Sequence, residues 1–243
     1  MLVKSQVKYI QSLGQKRQRD EDGVFVAEGP RLVADLLAAP AQFVEIFATP
    51  AWLSEHATLI SGIQLHEVDD ADLERLSQLA TPNQVVAVVR KFVQPAAIEV
   101  KQRLVLALDA LQDPGNLGTI IRTADWFGID QIVCGHECAD MYNPKVVQAT
   151  MGSIARVKVI YTGLEEWLSS GEQLKVYATA LEGRDIRKIG KIDEGIIVIG
   201  NEAKGISPAV ISLAQERITI PRRGQAESLN AAVATGIILS YIV

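Results

Sequence analysis

Short, continuous apolar runs recur along the second half of the chain, separated by polar or helix-patterned segments. The runs are Leu104–Asp109, Gln131–Cys134, Val157–Ile160, Val176–Thr179, Gly195–Ile199 and Ile218–Ile220. A run without apolar–polar alternation suits a strand covered on both faces, as in a parallel sheet. Helical spacing appears between most of the runs, at Leu117–Phe127, Lys145–Met151, Leu164–Leu168 and Pro208–Ala214. The alternation predicts an α/β fold with helices on both faces of the sheet. A last helix is expected over Ser228–Val243 with Ser228 as its N-cap. The first half alternates as well. Helices are expected at Val3–Leu13, Pro30–Ala38, Trp52–Leu59 and Ala71–Leu79, the last capped by Asp69 or Asp70. Strands are expected at Val24–Ala27, Phe43–Ala48, Gln64–Val68 and Gln84–Arg90. The segment Val93–Ala97, with a Pro and small residues, is a candidate linker between domains at 1–95 and 102–243.

Composition removes whole classes. With 48% apolar residues in 243, the chain is too apolar to be disordered. No apolar stretch approaches the ~20 residues that a membrane span needs, so no membrane association is expected. No apolar leader core follows Met1, and two cysteines cannot build a disulfide framework. A cytoplasmic protein is therefore expected. The net charge of −5 excludes a protein that holds nucleic acid by bulk charge.

Several familiar sites are absent. No two glycines are separated by one residue, so there is no GxGxxG fingerprint, and no P-loop lysine, HExxH or GxSxG occurs. Cys134-x-His136-x-Cys138 has soft ligands, but a structural zinc needs four. No metal is expected.

Three segments carry polar residues that a core does not need. Asp109–Arg122 follows a buried strand and opens a helix, with Pro114-Gly115 as a turn and Asn116 as a candidate cap. Ile197–Ile206 ends a strand at Gly200 and sets Glu202 at its carboxyl end, where open α/β sheets bind ligands. Ile220–Asn230 is a polar loop containing Arg222, Arg223 and Ser228.

In order and spacing, D-P-x-N-x-G-x-x-x-R, I-G-N-E-x-x-G and I-P-x-x-G-x-x-x-S-L-N resemble the three motifs of the SpoU-type RNA 2′-O-ribose methyltransferases of the SPOUT (TrmH-like) superfamily. The linking segment Asp140–Val147, with Gly152 after it, is similar too. Lys16–Arg19, Phe25–Gly29 and Thr81–Ala87 resemble the ribosomal protein L30e-like substrate-binding domain of many members. The resemblance implies an L30e-like α/β domain followed by a parallel-sheet domain with a deep trefoil knot. It implies S-adenosylmethionine as cofactor, bound by Thr179, Gly200, Ile220 and Leu229, and a homodimer through the knotted domain. It places Asn116, Arg122, Glu202, Ser228 and Asn230 at the catalytic site. A guanidinium stays protonated, so Arg122 is expected to bind the adjacent phosphate and stabilise an emerging alkoxide rather than act as a base. Asn116 and Ser228 are expected to position groups, and Glu202 to hold Arg122 or a loop amide.

The implied substrate is structured RNA, with ribosomal RNA favoured over transfer RNA. A transfer-RNA methyltransferase and an inactive L30e-like RNA-binding protein are the alternatives. Neither half of the chain is basic, so RNA contact is expected from local clusters: Lys4, Lys8, Lys16, Arg17 and Arg19 near the start, and Arg222 with Arg223 beside the site.

Overall fold

The computed structural model describes residues 2–79, 81–95, 97–170 and 174–243. The chain forms two compact units. The first comprises 1–93 together with 140–156, and the second comprises 94–139 and 157–243. The expected linker, 93–97, includes residue 96, which lies outside the described residues.

The first unit contains α1 (Lys4–Ser12), α2 (Lys16–Asp22), β1 (Val24–Glu28), α3 (Pro30–Leu37), β2 (Phe43–Ala48), α4 (Pro50–Glu55), β3 (Gln64–Glu67), α5 (Asp70–Leu76) and β4 (Val85–Arg90). Its sheet runs β1-β4-β2-β3, with only β2 and β3 parallel. Helix α2 is absent from the hydrophobic pattern because it has hardly any apolar residues. It is held by Lys16–Asp20 and Arg17–Glu21 pairs one turn apart, and it ends at Gly23 in the left-handed conformation. The segment 140–156 completes this unit. Asp140 receives a hydrogen bond from Arg19 at 2.6 Å, and Tyr142 packs against Phe25 with ring centroids 5.0 Å apart.

The second unit is built on a six-stranded, wholly parallel sheet in the order β10-β8-β9-β5-β6-β7. The strands are β5 (Leu104–Leu108), β6 (Gln131–Gly135), β7 (Lys158–Thr162), β8 (Val176–Asp185), β9 (Gly195–Ile199) and β10 (Glu216–Thr219). The five residues of β9, and all but the first residue of β5, are buried, which is why their sequences read as unbroken apolar runs.

With α7 (Pro144–Thr150) in the 140–156 segment, the remaining helices are α6 (Pro114–Trp126), α8 (Leu164–Ser170), α9 (Pro208–Ser212) and α10 (Ala231–Ile242), and α6 packs against α10. Helix α6 (Pro114–Trp126) begins one residue after Asp113, whose carboxylate accepts from the Asn116 amide at 2.7 Å. Asp113, not Asn116, is therefore the cap, since Pro114 takes the first helical position. Helix α10 (Ala231–Ile242) starts later than the Ser228 cap predicts. Asn230 caps it by accepting from the amides of Ala232 and Val233 at 3.0 and 3.2 Å. Ala231, Thr235, Ile238, Leu239 and Ile242 form its buried stripe.

Strand β8 does not run evenly beside β10. Ala178 pairs with Arg217, and the next residue of β10, Ile218, pairs with Arg184. Residues 179–183 are thus looped out of the ladder. Gly183 permits this: a Cβ there would stand 2.6 Å from the Arg217 carbonyl oxygen.

Candidate active site

The loops after β5, β9 and β10 leave the carboxyl edge of one parallel sheet, so three segments distant in sequence converge there. The loops after β5 and β9 are each fixed close to their strands. After β5, the Asp109 amide donates to the Ile199 carbonyl at 2.9 Å and its carboxylate accepts from the Ser207 amide at 2.7 Å. After β9, Asn201 and Gly205 exchange backbone hydrogen bonds of 3.0 and 2.9 Å. Asn201 also donates its side-chain Nδ2 to the Ala110 carbonyl at 2.8 Å. Gly200 makes this fold-back possible, because a Cβ there would lie 2.3 Å from the Gly205 carbonyl carbon.

A hydrogen-bond relay joins the three loops. The Asn230 Oδ1 accepts from the α10 amides, its Nδ2 donates to Asn116 Oδ1 at 2.8 Å, and Asn116 Nδ2 donates to Glu202 Oε1 at 2.8 Å. The direction is set at the α10 end, where Asn230 Oδ1 faces helix amides that only donate, which leaves its Nδ2 to donate onward. Both asparagine side chains are thereby oriented. Three of the five expected catalytic residues thus meet.

The other two are placed differently. Arg122 lies on α6 about 120° around the axis from Asn116 by helical geometry. It is exposed and makes no hydrogen bond or ion pair among the described residues. Glu202 consequently holds the Asn116 side-chain amide, not Arg122 or a loop amide. Ser228 is exposed, caps no helix, and is likewise without a hydrogen bond among the described residues.

Of the expected cofactor residues, Thr179 donates its hydroxyl to the Val198 carbonyl at 2.9 Å where the looped-out segment begins. Thr219 donates to the Leu181 carbonyl at 3.0 Å, tying that loop to the end of β10. Ile220 is half-buried, whereas Leu229 and Leu181 are 46% and 75% exposed. The loops therefore offer apolar side chains that the described residues leave partly uncovered.

The basic residues divide. Lys4, Lys8 and Arg223 are exposed, and Arg222 is exposed with a 3.2 Å bond to the Ala226 carbonyl. Lys16 and Arg17 are exposed but paired with Asp20 and Glu21. Arg19 is 2% exposed and bonds the Leu13 and Gly14 carbonyls as well as Asp140. It is a core residue of the first unit and is withdrawn from any RNA-facing surface.

Sequence reasoning missed Asp109, Asp113 and Asn201, which shape the loops without standing among the expected catalytic residues. Asp directly before a Pro that opens a helix was the available signal for Asp113. Among the described residues no group of three His, Cys, Asp or Glu is placed to hold a metal ion, and no helix is long and apolar enough to cross a membrane.

The chain belongs to the SpoU rRNA Methylase family, which it matches over residues 103–240. Residues 4–87 match the MRM3-like substrate binding domain. Among individual relatives, the chain is 34% identical over 239 residues to the 23S rRNA (guanosine(2553)-2′-O)-methyltransferase RlmP of Bacillus subtilis, covering 97% of this chain and 95% of that protein. Its fold matches a TrmH-family RNA methyltransferase from Porphyromonas gingivalis, described as putative, with a TM-score of 0.87 and 36% identity over 99% of this chain and 97% of that one. An AdoMet-bound rRNA methyltransferase from Sinorhizobium meliloti matches with a TM-score of 0.86 and 32% identity, over 98% and 94% of the two chains.

Proposed function

We propose that the protein transfers a methyl group from S-adenosylmethionine to a ribose 2′-hydroxyl of ribosomal RNA. The observation that carries this reading is the Asn230–Asn116–Glu202 relay, which unites all three motifs at the carboxyl edge of the sheet. The likeness to a 23S rRNA methyltransferase along nearly the whole of both chains supports ribosomal RNA over transfer RNA.

The residues present suit the cofactor. A purine and a thioether chain need apolar walls and a few backbone polar groups. Ile220, Leu229 and the backbone after Thr179 supply them, beside the loop that Gly200 lets fold back on Gly205. When bound, S-adenosylmethionine supplies an electrophilic methyl on a sulfonium. The last strand and helix are read as threading the family's trefoil knot, with the 179–183 excursion forming part of it.

A ribose hydroxyl is a weak acid, and its oxygen must be aimed and its developing charge stabilised. Arg122, unpaired among the described residues and permanently charged, binds the adjacent phosphate and stabilises the alkoxide. Asn116, locked by Glu202 and Asn230, presents its remaining N–H in a fixed direction. Ser228 positions the ribose. Lys4, Lys8, Lys16, Arg17, Arg222 and Arg223 meet the RNA backbone, and the first unit selects the RNA by shape.

The active protein is a homodimer through the second unit. Trp126, one turn beyond Arg122 on α6, is 85% exposed, and Val233 and Tyr241 on α10 are 52% and 47% exposed. Large apolar side chains on two adjacent helices fit an interface. The protein works in the cytoplasm, where its RNA is.

The direct test supplies methyl-labelled cofactor with ribosomal and transfer RNA separately. Label retained on 23S RNA supports the reading. Label only on transfer RNA overturns the substrate, and RNA binding without label overturns the enzyme.

A further inference from the structure

The two cysteines, which the methyl-transfer reading leaves unused, lie in and just after β6, beside the exit of β5. Cys134 is buried in β6, directly across from Leu108 of β5. The chain then turns back, the Cys138 amide donating to the Gly135 carbonyl at 3.0 Å. The half-buried Cys138 thus returns to Leu108, the residue that Cys134 faces across the ladder, and both cysteines meet the same turn of β5.

Cys138 Sγ clamps the exit of β5. It donates to the Leu108 carbonyl at 3.1 Å and accepts from the Leu111 amide at 3.3 Å. Leu111 is held from the other side by the Ala139 amide, at 2.8 Å from its carbonyl. Between Leu108 and Leu111 lie Asp109, bonded to Ser207, and Ala110, bonded to Asn201. Ala110 has φ +53°, a left-handed conformation that costs a non-glycine residue energy and persists only where its surroundings hold it. The thiol is one of those restraints.

We propose that Cys134 and Cys138 form a reversible redox pair, in which peroxide oxidises Cys138 and Cys134 closes a disulfide that unclamps the Leu108–Leu111 corner. The Cys138 sulfur attacks one peroxide oxygen, the O–O bond breaks, and the leaving hydroxide takes up the Cys138 proton as the first water, giving a sulfenic acid. The Cys134 sulfur then attacks Cys138 Sγ, and the S–O bond breaks as the S–S bond forms. The Cys134 proton leaves with the hydroxide as water. In sum, two thiols and one hydrogen peroxide give a disulfide and two waters. The neighbouring Cys134 thiol favours the Cys138 thiolate most, with help from the backbone at Leu111 and Gly135. Burial and Asp109 oppose it without overcoming it, and the Cys138 thiol is held below its ordinary value. A thiolate-prone, partly accessible cysteine beside a resolving thiol is the arrangement of peroxide-sensing pairs.

Intact-mass measurement on the reduced full-length protein, treated with submillimolar hydrogen peroxide, tests this without reference to activity. The expected wild-type product is lighter by about 2 Da and returns to the starting mass with dithiothreitol. Cys134→Ser should stop at a gain of about 16 Da, trapped by dimedone on Cys138, and Cys138→Ser should stay unchanged. In the oxidised wild type, exchange of the Leu111 amide should rise several-fold. Two alkylatable thiols remaining in the wild type, or a disulfide only between separate chains, would overturn the proposal.

Discussion

Asn116 and Glu202 are 86 residues apart in sequence, yet the Asn116 side-chain amide donates to the Glu202 carboxylate at 2.8 Å. The bond orients Asn116 so that its Oδ1 faces Asn230. The second and third motifs thereby act on the first through one side chain.

Asn230 has two separable duties. Asn230→Asp keeps an acceptor for the α10 amides but loses the N–H that reaches Asn116, and it sets a carboxylate against Asn116 Oδ1. Asn and Asp cap equally well, so the melting temperature should hold while kcat falls about tenfold or more, equivalent to about 1.4 kcal/mol. Asn230→Ala should lose the same activity and also about 1 kcal/mol of stability. Equal kcat in wild type and Asn230→Asp would show that the relay has no part in the reaction.

Arg122 offers the reverse separation. It is exposed and unbonded within the described residues, so Arg122→Lys should leave thermal unfolding unchanged, within the ~0.5 kcal/mol usual for surface sites. Single-turnover methyl transfer and RNA affinity should both fall, since lysine lacks the bidentate fork. Wild-type values for both would remove the phosphate role.

Gly200 and Gly224 make a matched pair. A Cβ at Gly200 meets Gly205 backbone at 2.3 Å, whereas one at Gly224 meets nothing within 4 Å. Gly200→Ala should cost about 1–3 kcal/mol by overpacking and abolish calorimetric binding of S-adenosylmethionine. Gly224→Ala should do neither.

Glu28 predicts a pH dependence. It is 5% exposed, and burial pushes its carboxyl above the ordinary value even though Ser77 Oγ and the Gln78 amide, the latter at 3.0 Å, both donate to it. A raised folded value means that the folded state binds the proton more tightly than the unfolded chain, whose Glu titrates at about 4.3. That contribution is fully present below the unfolded value and is lost as pH rises through the folded one. Glu28→Gln should therefore unfold at a higher temperature than wild type at neutral pH, with the gap closing towards about pH 4. A gap that widens on acidification would contradict this.

Much of the fold was legible because burial on both faces leaves a plain mark. All six runs in the second half are strands. The helix starts were harder. Pro114 opens α6 and so passes the cap back to Asp113, and at α10 Ser228 and Asn230 are both suitable caps. What decides between them is which oxygen reaches the first free amides, a matter of geometry. Helix α2 left no apolar period to read. Arg19 looked like its basic neighbours, since its partner Asp140 stands 121 residues further along. The three motifs named Asn116, Glu202 and Asn230, but which atom faces which is set only when three loops meet.

The most direct measurement maps alkali-resistant linkages in ribosomal RNA from cells with and without the gene, because a 2′-O-methyl blocks cleavage at its own nucleotide. One resistant linkage in ribosomal RNA is expected to disappear with the gene and to return with the wild-type protein. An unchanged ribosomal map, or a lost mark on a base or a transfer RNA instead, would contradict it.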